Sequence, residues 1–312
     1  MSSLPSSAAA GSPTPSPVAT GPQRSLLSGR VGKVDGRVLV VKMDNTPLSE
    51  PHAGIKVADV VYLEEVEGGL SRYAVVFSTV YPRSVGPVRS ARISDIELLR
   101  QYGKIAFAYS GAQTRMLPVL RRAYLFDVSD DTGGKGYYRD SGRMAPYNLF
   151  GEPAVLFERA PRAARAHDVG FRFSTVVPAG GVAAPSVSAS YPSTRVGLTW
   201  DQASGRWLVA MNGRRAMAAE GAQLGGTTVI IQYVTVTRSI YHDKLGHYTP
   251  MSHSVGTGKA LILRNGRAWQ ATWSRPTAAS PTHWLVGGRD FRLAPGQVWV
   301  LLINKTRPAT LG

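Results

Sequence analysis

Asp59-Val60-Val61-Tyr62-Leu63-Glu64-Glu65-Val66, then Glu67-Gly68-Gly69-Leu70-Ser71, then Arg72-Tyr73-Ala74-Val75-Val76-Phe77-Ser78-Thr79 is the stretch on which the fold turns. Two β-branched, apolar runs of strand length flank a glycine pair, which predicts a β-hairpin. Upstream, Arg37 to Met43 is another run of strand character, and Asp44-Asn45-Thr46-Pro47 ends it. Downstream, Ser94 to Tyr102 has helical spacing, a Ser94 cap with Glu97 three residues on, and Gly103 as a stop. A strand over Ile105 to Tyr109 follows, then a short amphipathic helix over Thr114 to Ala123 despite Pro118. Phe126-Asp127-Val128 leads into a polar loop, and an arginine-rich helix is expected over Pro153 to Ala166. Strands alternating with helices imply a layered, mixed α/β domain over 29–175.

Beyond it the character changes. Residues 176–193 are Val, Pro, Ala, Gly and Ser without periodicity and read as an inter-domain linker. From 194 to 308 short strands are separated by turns such as Asn212-Gly213 and Asn265-Gly266, a mainly β pattern. Val229 to Val234 is apolar enough for a central strand covered on both faces. The expected class is α+β: a mixed α/β N-terminal domain followed by a smaller, mainly β C-terminal domain. At 312 residues and 43% hydrophobic content the chain can pack such cores.

Lysine and arginine total 36 against 20 acidic residues, a net +16 that favours anionic partners. The absence of cysteine removes disulfides, thiolate metal sites and cysteine nucleophiles. No apolar run approaches the roughly 18 residues that cross a bilayer. Residues 1–28, almost all Ser, Ala, Pro, Gly and Thr at their start, read as a disordered tether with neither export signal nor anchor. Such tethers follow lipid-anchored or cleaved N-termini, and they also occur as tails of cytosolic proteins.

Candidate chemistry gathers in three segments. Glu67 lies at the hairpin tip with Arg72 on the returning strand, either a carboxylate oriented by arginine at the lip of a cleft or a solvated ion pair. Arg89-Ser90-Ala91-Arg92 precedes the first helix. Its amides and guanidinium groups suit a carboxylate or phosphate near the helix start, or internal pairing with Asp44, Asp59 or Asp95. Arg139, Asp140, Arg143 and Asn148 form the third, after a glycine-rich loop. Glu65 and Glu67, two apart on one strand face, also raise a glycosidase pair at roughly 6 to 7 Å. No metal or cofactor is expected: Asp127, Asp130 and Asp131 lack calcium-loop spacing, and His242 and His247 lack a clear third ligand. Gly256-Thr257-Gly258-Lys259 lacks full phosphate-loop spacing, and Ser110 lacks the nucleophile-elbow frame. Trp207, Trp269 and Trp273 fall in strands, where a sandwich interior is the default and stacking on sugars the alternative.

Several motifs together resemble the YerB-type lipoproteins of Gram-positive bacteria, a family of unknown function. In the first half they are Val41-Lys42-Met43-Asp44-Asn45, the Ala58 to Arg72 hairpin, Val85-Gly86-Pro87-Val88-Arg89-Ser90-Ala91-Arg92, Tyr138-Arg139-Asp140 and Arg143-Met144-Ala145-Pro146-Tyr147-Asn148-Leu149. In the second they are Val229 to Val234, Gly256 to Ala260, Thr272 to Pro276 and Leu293 to Gly296, so the resemblance runs from about Gly29 to Ile303. Two positions depart from it: Leu63 precedes Glu64 where many relatives carry an acid, and Tyr147 stands where many carry histidine. The resemblance implies an extracytoplasmic, envelope-associated protein, anchored only through an N-terminal segment that this sequence lacks. The expected ligand is an anionic envelope polymer or glycan, bound by Asp44, Asn45, Glu64, Arg72, Arg89, Ser90, Arg92, Arg139, Arg143 and Asn148. The alternative is a glycan-cleaving enzyme with Glu67 as general acid. Nucleic acid is supported by net charge alone, without a recognisable reading motif.

Overall fold

The computed structural model describes residues 22–243 and 245–312. The hairpin forms as expected: β2 (Val60–Glu65) pairs antiparallel with β3 (Ser71–Phe77), which also pairs with β1 (Leu39–Met43). Outward from β1, β4 (Ala106–Ala108) and β5 (Phe126–Asp127) add in parallel. On the other flank of β2 lies the chain's last long strand, Val298–Asn304, and beyond it Thr228–His242. Gly256–Arg264, Arg267–Arg275, His283–Val286 and Arg289–Asp290 extend the row, and Tyr248–His253 and Val182–Ala183, pairing beside it, bring the sheet to thirteen strands.

The α/β part and the β-rich part therefore share one sheet, with Val298–Asn304 as the seam. Val298, Trp299, Val300, Leu301, Leu302 and Ile303 are all buried, so this strand needs cover on both faces. Period-two alternation splits the side chains cleanly. Leu39, Val41, Leu63, Tyr73, Val75, Val229, Ile231 and Trp299 face one core, with α3 (Pro153–Arg159) and a second antiparallel sheet built on Ser186–Ser190, Arg195–Asp201 and Arg206–Met211. Val40, Tyr62, Ala74, Val76, Ile230, Val300 and Leu302 face the other, with α1 (Ile93–Leu99) and α2 (Leu117–Arg122). Trp207, Trp269 and Trp273 are interior, and the Asn-Gly turns carry positive φ at both residues.

Four expectations need correction. Residues 22–28 do not belong to a tether: Ser25, Leu27 and Ser28 are buried, and Ser28 Oγ donates to Asp59 Oδ1 at 2.6 Å. The rest of that segment, 1–21, lies outside the described residues. The stretch 176–193 is not only a connection, since it contributes Val182–Ala183 to the main sheet and Ser186–Ser190 to the second. There Val187 and Ala189 point inward, but small serines and an alanine give too weak an alternation to read. α3 stops at Arg159 because Pro161 drives Ala160 out of the helical region, to φ −132°. Finally, α1 is capped at Arg92, not Ser94: Asp95 reaches back to the Arg92 amide at 2.6 Å.

Candidate functional site

β1, β2, β4, β5, Val298–Asn304 and Thr228–His242 all run in one direction. Their carboxyl ends meet at one edge of the sheet, the side where open α/β sheets place ligands. The polar residues of the first half converge there because Lys42, Glu64 and Arg72 continue the inward positions of Val40, Tyr62 and Ala74 on the face beneath α1. Lys42 is fully buried. Its Nζ donates to Glu64 and, at 2.9 Å, to Asp95 Oδ1 at the start of α1. Burial pulls the ammonium down to about 8 against the opposing pull of Asp95. Glu64 Oε2 has no hydrogen-bond partner among the described residues.

Arg72 pairs across the hairpin with Glu64 in register, and its guanidinium reaches the Ser90 carbonyl at 3.4 Å. Burial and then the neighbouring Arg92 charge bring it down to about 9. Glu67 does not meet Arg72. It sits in a short 3-10 turn, Glu67–Gly69, in which Gly68 and Gly69 take φ of 66° and 70°, and this turn swings its carboxylate toward Arg92. Arg92 Nε and Nη2 donate to Glu67 Oε2 at 2.7 and 2.5 Å, and Thr249 Oγ1 donates to Oε1. Burial pushes the Glu67 carboxyl up, and Arg92 with these hydrogen bonds more than reverses it, leaving Glu67 below the usual carboxylate range.

Two chemical readings lose support from this geometry. Glu67 is off the strand, so Glu65 and Glu67 do not form a same-face pair, and a carboxylate held ionised by Arg92 is a poor general acid. The helix start offers no free amide at Arg92, because Asp95 already occupies it.

In front of Glu67 and Arg92 opens a cleft of about 360 Å³, lined also by Ser90, Ala112, Gln113, Thr114, His242 and Asp243. Gln113 Oε1 is buried there without a partner among the described residues. The remaining expected residues form separate clusters. Asp44 accepts from Arg89 Nε and from Thr46, and Arg89 stacks on Tyr147 at 4.9 Å. Burial raises the Asp44 carboxyl, and the Thr46 and Arg89 interactions lower it further than that. Asn45 Nδ2 donates to Ser71 Oγ. Arg139 donates to Asn148 Oδ1 at 3.0 Å, and Arg143 to the Ser49 and Pro51 carbonyls. The single pocket expected from all three segments is thus divided: Glu67, Ser90 and Arg92 line the cleft, while Arg139, Arg143 and Asn148 do not. Sequence reading missed Lys42, whose signal is a lone cation at an inward position of an apolar strand. It also missed Thr249, Gln113, His242 and Asp243.

The family described as "Protein of unknown function (DUF3048) N-terminal domain" matches residues 27–167, and its C-terminal domain matches residues 187–300. The chain belongs to this YerB-type family. Among curated proteins, "Putative lipoprotein YerB" of Bacillus subtilis is 35% identical over 75 residues, 24% of this chain and 22% of that protein's length. The crystal structure of the YerB protein from Bacillus subtilis superposes with a TM-score of 0.78, covering 92% of this chain and 99% of that one at 19% identity. At that identity the likeness establishes the shared fold alone. Both family domains contribute to the cleft, Glu67 and Arg92 from the first and His242 and Asp243 from the second.

Proposed function

We propose that this protein is an extracytoplasmic, envelope-associated binding protein that takes a polar, hydroxyl-rich segment of cell-wall glycan in the Glu67–Arg92 cleft. The observation that carries the reading is the charge balance of the cleft and its floor. Lys42, Arg72 and Arg92 stand against Glu64, Glu67 and Asp95, and Arg92 is already committed to Glu67. Such a site has little net charge left for a polyanion. It offers instead fixed acceptors on Glu67 and Asp243 and donors or acceptors on Ser90, Gln113 and Thr114, the mixture that sugar hydroxyls and acetamido groups satisfy. The name of the Bacillus subtilis relative supports a lipoprotein-like, membrane-anchored placement facing that polymer.

The test uses purified protein and isolated cell-wall sacculi. The expected outcome is co-sedimentation without release of soluble sugar, weakened by Gln113→Ala combined with Thr114→Ala. Sedimentation unchanged by that pair would remove the cleft from the account. Release of soluble fragments that disappears with Glu67→Gln would replace binding by the glycan-cleaving alternative.

A further inference from the structure

A second cleft, of about 530 Å³, lies in the β-rich part. It opens where Thr228–His242 changes partners. Residues up to Gln232 pair with Gly256–Arg264, and residues from Thr235 onward pair with Tyr248–His253. The two partner strands splay apart at Tyr233 and leave a hollow between them. Gly258 makes the hollow possible: a Cβ there would lie 2.5 Å from Trp273 Nε1 and 3.0 Å from the Tyr233 carbonyl, the two atoms that hydrogen-bond to each other at 3.0 Å. This gives a physical reason for Gly256-Thr257-Gly258-Lys259, a motif that the first cleft does not use.

The lining holds two ammonium groups, Lys259 and Lys305, and no carboxylate. Register places them on either side of Tyr233. Gln232 pairs with Ala260, so Lys259 follows beside Tyr233 on one flank. Tyr233 pairs with Ile303, and the Lys305 amide donates to the Val234 carbonyl at 2.9 Å on the other. Two strand spacings separate the flanks, about 10 Å between backbones, a span that two lysine side chains close from opposite sides. Hydroxyls of Thr235 and Thr257 and the ring of His253 complete the polar lining.

We propose that this cleft binds a phosphate ester, held between Lys259 and Lys305. Lysine acts on phosphate as a point charge, whereas planar carboxylates favour the arginine fork that this cleft lacks. The volume falls within the range of sites that enclose a small organic group. The site is separate from the Glu67–Arg92 cleft, and the two together equip the chain for a polymer that alternates sugar-like and phosphate-bearing segments.

The experiment is isothermal titration calorimetry of the whole chain with glycerol 1-phosphate, with glycerol as the uncharged control, alongside sedimentation with phosphatidylglycerol vesicles and with phosphatidylcholine vesicles. The expected result is saturable binding of the ester, weakening as salt rises, and about a tenfold or greater loss of affinity in Lys259→Gln/Lys305→Gln. Vesicle binding that needs phosphatidylglycerol and both lysines, without binding of the free ester, would assign the same phosphate chemistry to a lipid headgroup. Equal affinity in the double variant, equal binding of glycerol, or binding in neither arm would overturn the proposal. An unchanged unfolding midpoint in the double variant separates loss of the site from loss of the fold.

Discussion

The two clefts handle charge in opposite ways. At the carboxyl ends of the parallel strands, Lys42 and its neighbours are buried and balanced in number by carboxylates, so most of their electrostatic energy offsets the cost of leaving water. At the strand split in the β-rich part, Lys259 and Lys305 are exposed and face each other across a hollow without a carboxylate. A dense run of charged motifs in a sequence therefore marks first of all a place where polar groups must be compensated inside the fold. Two exposed cations without a carboxylate beside them, Lys259 and Lys305, lie outside that dense run.

The difference breaks most visibly at Lys42. Lys42→Met removes one cation and leaves Glu64 and Asp95 facing each other in the interior, which is expected to cost about 3–5 kcal/mol in urea unfolding. A cost near zero would mean that the row is not a buried network. The pH profile sharpens the point. In the unfolded chain the lysine titrates near its ordinary 10.5 and in the folded protein at about 8, so between those values the unfolded state holds the extra proton. Stability attributable to Lys42 therefore rises as pH goes from about 8 to 10.5, and the difference between wild type and Lys42→Met should widen across that window.

The hairpin and the central strand were legible because continuous β-branched, apolar runs of strand length bounded by turn residues leave no other burial for Val60–Glu65, Ser71–Phe77 and Val229 to Val234. Glu67, Ser90 and Arg92 stood out in the sequence and line one cleft, but the partner of Glu67 was not legible. Spacing suggested Arg72, whereas two glycines in left-handed backbone turn the carboxylate to Arg92, 25 residues away. Thr249, 182 residues from Glu67, was beyond any local pattern, because its strand, Tyr248–His253, reaches Glu67 only through its pairing with Thr228–His242 in the shared sheet. Ser186–Ser190 escaped for a different reason: its inward side chains are too small to stand out from a loop.

The glycine that opens the second cleft offers an intermediate effect. Gly258 has ordinary backbone angles, so Gly258→Ala acts through space alone, by pressing a methyl group against Trp273 and the Tyr233 carbonyl. Overpacking of this kind is expected to cost about 1–3 kcal/mol. It should also displace the indole from its hydrogen bond, which tryptophan fluorescence would read as a shifted emission maximum in a folded protein. An alanine accepted without either change would mean that the hollow is not held open by this contact.

The smallest effect on stability carries the most weight for the comparison. Lys259 and Lys305 are exposed and bind no carboxylate within their cleft, so replacing both by glutamine should move the unfolding free energy by no more than about 0.5 kcal/mol each. The sign should be slightly favourable, since two like charges flanking one strand repel, and the gain should fade as salt screens them. Removing one positive charge at Lys42 would then take away several kcal/mol of stability, while removing two at the strand split would leave it nearly unchanged. A loss comparable to that of Lys42→Met would show that these lysines serve the fold, and the distinction between a compensated row and an open cleft would disappear.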